Sequence, residues 1–313
     1  MDAETLWTLF DLLLIISLAV LALVAVLSGD RRRSIVLFII FGLLLALVWA
    51  RLRAPDIALA EVAIGAGLGG ALLMATLRRH QQTRDDFRHR PAWLQWSVGL
   101  LVMLLGTGMA WSLLLVMDAQ PADWRLGAEA FAELDNSGVS NPVTAVLLNF
   151  RAWDTLLELA VLLAAILGIK ALGKPEPAYV SENAFRDLAL WLTPLLVLMA
   201  GYILWAGAHA PGGAFQAGAL LAAAGIILRL AGKPDGGLPH NETALRLGLA
   251  LGTAVFLLVA LGVILAGNTL LQYPPDQAKW WILLIETAAT LSIGMTLTLA
   301  FIGGSPTLAK DAA

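Results

Sequence analysis

The chain has no cysteine. That absence excludes a disulfide, a thiolate metal site and a cysteine nucleophile. Charge is also scarce: 14% of residues are Asp, Glu, Lys or Arg, against about 25% in an average soluble domain. The net charge of −3 argues against a nucleic-acid partner. What remains is apolar, with 59% hydrophobic residues and a mean hydropathy of +0.80. A soluble chain of this composition would leave large apolar patches in water. The sequence therefore reads as an all-α, polytopic integral membrane protein. No nucleophile–base pair or metal cluster stands out and no cofactor is implied, so a stand-alone enzyme is not expected.

A helix needs about 20 apolar residues to cross a bilayer. Nine such runs are expected, at roughly 5–28, 34–52, 55–77, 93–117, 150–172, 187–207, 211–231, 244–267 and 278–302. The first is preceded by Asp2 and Glu4 and is too long for a signal-peptide core, so it reads as a retained helix. Lysine and arginine set the orientation. With the N-terminus outside, fifteen of them fall on the cytoplasmic side and five on the outer side, which also places the C-terminus inside. Pro175 and Pro177, within Lys174–Arg186, divide a five-helix unit (1–173) from a four-helix unit (187–313). Arg78–Pro91 is a basic cytoplasmic stretch suited to anionic lipid head groups. Asp118–Asn141 is an outer, fairly acidic stretch suited to capping a neighbouring subunit. The short apolar piece Val143–Leu148 is expected at the membrane interface, and Pro194 should kink its helix. No internal repeat is evident.

The most unusual run is Ala54–Gly70, which contains Asp56, Glu61, Gly65, Gly67, Gly69 and Gly70. A carboxylate at a bilayer centre costs roughly 2.5–3.5 kcal/mol on insertion scales. Gly65-x-Gly67-x-x-Gly70 matches the bare dinucleotide pattern, but no strand precedes it and no acidic residue follows at the right distance. The glycines read instead as a small-residue helix contact, Gly65-x-x-x-Gly69; the alternative is a π-bulge. Asp56 reads as a structural outer-surface residue near Arg51 and Arg53. Asn241-Glu242-Thr243 matches a glycosylation pattern by chance, since the charge rule places it in the cytoplasm.

Five acids sit inside apolar runs: Asp11, Glu61, Asp154, Glu158 and Glu286. All lie four to eight residues from the outer end of their helices, hence about 6–12 Å below the outer surface. Asp154 and Glu158 share one helix face, and Arg151 is placed to pair with Asp154. For Asp11 and Asp154 a structural ion pair or an interfacial side chain is favoured. For Glu61, Glu158 and Glu286, ion conduction and structural pairing stand level. A carboxyl in a low-dielectric site can exchange protons with water and relay them to the next carboxyl. His209, before Pro211-Gly212-Gly213, reads as a polar turn residue.

Three stretches resemble a known family. Ala54–Glu61 with Gly65–Leu68 is similar to the third helix of a domain shared by the C-terminal end of the Mrp antiporter A subunit and the D subunit of membrane-bound hydrogenases. Ala60 replaces the usual threonine. Asn149–Glu158 resembles the next element, which is like the hydrogenase E subunit, keeping Arg151, Asp154, Thr155 and Glu158. Pro211–Gly218 resembles the glycine-rich motif of the Mrp B subunit, with Ala214 and Ala217 replacing glycines. Glu286 lies in the last helix, as a glutamate does in B subunits. The resemblance implies a fused subunit of a multisubunit monovalent cation (Na+)/proton antiporter in a bacterial cell membrane. Its partners would be other membrane subunits, lipid, protons and monovalent cations. It implies a proton or ion path through Glu61, Glu158, Glu286 and Asp154, supported by Asp56, Arg151, Gly65, Gly67, Pro211, Gly212 and Gly213. The alternatives are a membrane-arm subunit of a redox-driven pump, or a scaffold with no ion path.

Overall fold

The computed structural model describes residues 2–80, 92–118, 125–171 and 183–304, and every element in them is helical. Helix α1 (Ala3–Leu27) is capped by Asp2, whose side chain accepts the Thr5 amide at 3.0 Å. Hydrogen bonds from Thr5 hold the Asp2 carboxyl below the usual carboxylate range. Helix α2 (Arg31–Arg51) begins on Asp30 in the same way. Helix α3 (55–80) is composite: α-helical over Pro55–Ala60, π-helical over Glu61–Gly69 and α-helical again over Gly70–His80. Then come α4 (Ala92–Asp118), α5 (Arg125–Ala132) and a 3-10 turn, Leu134–Ser137. The rest of the chain forms α6 (142–150), α7 (Ala152–Ala171), α8 (Asn183–Ala206), α9 (Ala214–Leu230), α10 (Glu242–Leu265) and α11 (Ala278–Ile302).

Among the described residues, eight helices are long and apolar enough to cross a membrane; α9, with 17 residues, is shorter. This corrects the expectation of nine full spans. Pro211-Gly212-Gly213 does not join the helix, because Gly213 adopts φ 113°, ψ −170°, and α9 starts only at Ala214. Such a backbone is open essentially to glycine alone. The expected boundary between the two units falls largely on residues 172–182, outside the described residues, as do 81–91 of the basic stretch and 119–124 of the acidic one.

Helix α9 occupies the middle of the fold, packed against α8, α11 and the π segment of α3. Small residues make this approach possible. A Cβ on Gly218 would lie 2.6 Å from Cγ2 of Ile293, and one on Gly294 would lie 2.8 Å from Cβ of Leu221. Helices in lipid associate through such close contacts. Leu156 and Leu159 of α7 share a core with Phe256 of α10 and with Ile282 and Ile285 of α11. Thus α7 belongs to the same packed body as the last helices. Helix α4 is exposed along its apolar window.

The glycine stretch resolves against the first expectation. Glu61–Gly69 is a π-helix of nine residues. The close contact with α2 is made by other positions: a Cβ on Gly42 would lie 3.1 Å from that of Ala66, and one on Gly70 would lie 2.5 Å from Cγ1 of Ile39. Gly65 faces the Glu61 carboxylate of its own helix instead. The wider π turn rotates the face, so Ala66 and Gly70, rather than Gly65 and Gly69, meet the neighbour.

Candidate functional site

The site is assembled from two irregular segments. The first is α6. Asn141 caps it by accepting the Val143 amide at 3.0 Å, and Pro142 fits its first turn because no amide is needed there. The segment becomes π-helical over Val146–Phe150, then breaks at Arg151 (φ −127°, ψ 36°) before α7 resumes. The break frees the Leu147 carbonyl, which accepts the Thr155 hydroxyl at 2.6 Å. Val143–Leu148 was expected at the interface. Thr144, Ala145 and Leu148 are instead buried in the body, because this short helix packs against α11 and bonds to the turn before α9.

The second segment is that turn, 207–213, between α8 and α9. The Ala208 carbonyl accepts the amides of Ser140 and Asn141 at 2.9 and 3.1 Å. The Gly207 carbonyl accepts the Thr144 hydroxyl at 2.6 Å. The Gly212 amide donates to Oδ1 of Asp56 at 3.0 Å, and the Gln216 amide nitrogen donates to the Asp56 backbone carbonyl at 3.3 Å. Asp56 is therefore not an outer-surface residue. It is 8% exposed and ties the first turn of α3 to the start of α9.

Between these segments lies a cavity of about 260 Å³. Glu286, Glu158, Asp56, Thr155, Gln216 and Phe215 are among its lining residues, with Gly212 and Gly213. Glu286 is 3% exposed. A Cβ built on Gly213 would lie 2.9 Å from Oε1 of Glu286, so the Glu286 carboxyl of α11 packs against the backbone that leads into α9. Glu158 is exposed and also lines the cavity. Three carboxyls, buried Asp56 and Glu286 and exposed Glu158, thus share one cavity with threonine and glutamine side chains. That arrangement can take up a proton or a monovalent cation from water and hold it in the interior. A second cavity, about 580 Å³, opens beside Arg186, Asp187 and Lys233 and contains none of the expected acids.

The other expected acids have different surroundings. Asp11 forms a two-pronged pair with Arg51, at 2.8 and 2.7 Å, and that guanidinium lies 4.5 Å over the Trp7 ring. Asp154 pairs with Arg151 at 2.6 Å. Both are the ion pairs expected of them. Glu61 is outside the cavity, which α3 lines with Ala60 and Ile64 instead. A Cβ on Gly42 of α2 would lie 3.3 Å from Oε1 of Glu61. His209 is exposed and meets the Trp205 ring edge-on at 5.0 Å; Pro211 is exposed as well. Gly65 and Gly67 belong to the π segment. Sequence reasoning missed Gln216, Thr144 and Asn141. The Asn141-Pro142 pair was the available signal, since a capping residue followed by proline marks a helix start.

Two family models match the chain. MbhD, described as the D subunit of MBH, matches residues 16–82, and MnhB, the domain related to MnhB subunit of Na+/H+ antiporter, matches residues 184–304. The chain is 30% identical over 156 residues to the A subunit of the Na(+)/H(+) antiporter of Alkalihalophilus pseudofirmus, covering 47% of this chain and 18% of that protein. It is 28% identical over 172 residues to the corresponding A subunit of Bacillus subtilis, covering 53% and 20%. The chain thus spans about a fifth of the length of these curated relatives. Among solved structures, a chain of the Mrp complex from a Dietzia species superposes with a TM-score of 0.74 at 21% identity, over 99% of this chain and 36% of that one. A chain of the membrane-bound sulfane sulfur reductase, an archaeal respiratory membrane complex, superposes with a TM-score of 0.53 at 22% identity, over 67% of this chain and 97% of that one. At these identities the likeness is one of fold. The chain thus joins, on one polypeptide, a segment similar to MbhD and a domain similar to the MnhB-related one.

Proposed function

We propose that this chain is a non-enzymatic membrane subunit of a multisubunit Na+/H+ antiporter and contributes to its proton or ion path. The observation that carries this reading is the cavity in which buried Glu286 and accessible Glu158 meet. An acid inside a membrane bundle is a functional candidate because its desolvation must be offset. In this reading Glu158 exchanges with water, Glu286 is the inner station, and Asp154 and Glu61 extend the route toward neighbouring subunits. The relatives' names, the N-terminus-out orientation from the charge bias and the cell-membrane location of a bacterial complex belong to the same proposal. So does a division into units 1–173 and 187–313.

The test is Na+-driven pH change in membrane vesicles carrying the assembled complex. Glu286→Gln and Glu158→Gln should abolish it with assembly intact, and Glu61→Gln should reduce it. Asp11→Asn, which keeps an acceptor for Arg51, should leave it unchanged. Full activity in both Glu286→Gln and Glu158→Gln would favour a scaffold. A second reading is a membrane-arm subunit of a redox-driven pump. It is supported by the superposition on nearly the whole of a chain from an archaeal respiratory complex. Identifying the subunits that copurify separates the two: redox proteins in one case, antiporter subunits alone in the other.

A further inference from the structure

Asp56 is not a station of the ion route proposed above, yet it is buried and its hydrogen bonds are unusually placed. Its carboxylate accepts the Gly212 amide across 156 residues of chain, and its backbone carbonyl accepts Gln216. The next residue, Gly213, has a backbone that only glycine adopts readily and passes against Oε1 of Glu286. The Gly212-Gly213 strip of backbone is therefore held by Asp56 at one residue and pressed against Glu286 at the next. A glycine pair cannot keep such a shape unaided, because it has the most conformational freedom to lose. The strip's other side is fixed by the Gly213 amide, which donates to the Ile203 carbonyl at 3.1 Å.

We infer that Asp56 is a positioning residue for Glu286: by fixing the Gly212-Gly213 strip from α3, it sets where the Gly213 backbone meets the buried carboxyl. This rests on the proposed role of Glu286 in the ion path. It makes α3 and α11 cooperate through a backbone strip. An acceptor oxygen at position 56 is what the strip requires. Asp56→Asn keeps one, and Asp56→Ala removes it.

The experiment uses the purified complex in proteoliposomes, with an infrared spectrum of the carboxyl stretching region. The Glu286 band is identified as the one lost in Glu286→Gln. In Asp56→Ala that band should shift, and Na+-driven proton movement should fall by about tenfold or more, the scale expected for a misplaced group. In Asp56→Asn both should return to the parental state. An unmoved band in assembled Asp56→Ala complex overturns the inference, as does a shifted band in Asp56→Asn. If Asp56→Ala does not assemble, Asp56→Glu takes its place: it keeps the carboxylate but displaces the acceptor, so the band should shift, and an unmoved band overturns the inference. Should Glu286→Gln itself transport normally, the proposed role of Glu286 in the ion path fails, while the band position continues to test the positioning role separately.

Discussion

Gly213 and Glu286 are in closer contact than any side chain at 213 would permit: a Cβ there would lie 2.9 Å from the Glu286 Oε1. The φ of 113° at Gly213 adds a second objection to a larger residue. Gly213→Ala is expected to lower Na+-driven pH change by about tenfold, since a displaced strip misaligns the carboxyl. Vesicle fluorescence assays read this directly. Gly262→Ala is the control, because a Cβ there meets nothing within 4 Å.

The hydroxyl of Thr155 closes the break between α6 and α7 by donating to the Leu147 carbonyl. Thr155→Val keeps the shape and removes the donor to a carbonyl in a part-buried setting, at a cost of about 0.5–1.5 kcal/mol. The unfolding midpoint of the detergent-solubilised complex should fall, and Thr155→Ser should restore it.

At the α9–α11 contact, Gly218 lies against Ile293 with no room for a side chain. Gly218→Val should force the helices apart and cost roughly 1–3 kcal/mol or more by overpacking. The readout is the fraction of complex that stays monodisperse on a sizing column after mild heating. An unchanged fraction would mean that the two helices separate freely.

The Tyr273 hydroxyl is buried and has no hydrogen-bond partner among the described residues. Burial alone pushes its pKa well above the ordinary tyrosine value. The folded state therefore resists ionisation that the unfolded state undergoes near pH 10. Its stability is fully present below that pH and falls as pH rises above it. Tyr273→Phe should remove this alkaline loss and raise the midpoint at neutral pH, because an orphan polar group costs about 1–3 kcal/mol. Thermal melts at pH 7.5 and at higher pH check both halves of the expectation.

The helical, membrane-spanning character was legible in the sequence, because apolar runs of sufficient length have one physical outcome in a bilayer. The Asp154–Arg151 pair was legible too, since its spacing places both side chains on one helix face. What could not be read was which face each of the deeper acids presents. Glu61 turns toward Gly42 while Ala60 and Ile64 reach the cavity, and the π segment that starts at Glu61 shifts the residues after it around the helix axis. The burial of Asp56 was hidden for a related reason. Its partner Gly212 is distant in the chain, and no local pattern encodes that pairing.

The shortness of α9 has a geometric result. Its seventeen residues rise about 26 Å, several ångströms less than a hydrocarbon core of about 30 Å. The chain must complete the crossing as non-helical backbone, and that backbone is the turn 207–213. Unpaired peptide groups at such a depth are tolerated only where protein shields them or a cavity receives them. Ser140, Asn141, Thr144 and Asp56 are the groups that meet this demand here. The missing helical turn thus adjoins the cavity inside the bundle, with Gly212, Gly213 and Glu286 in its lining.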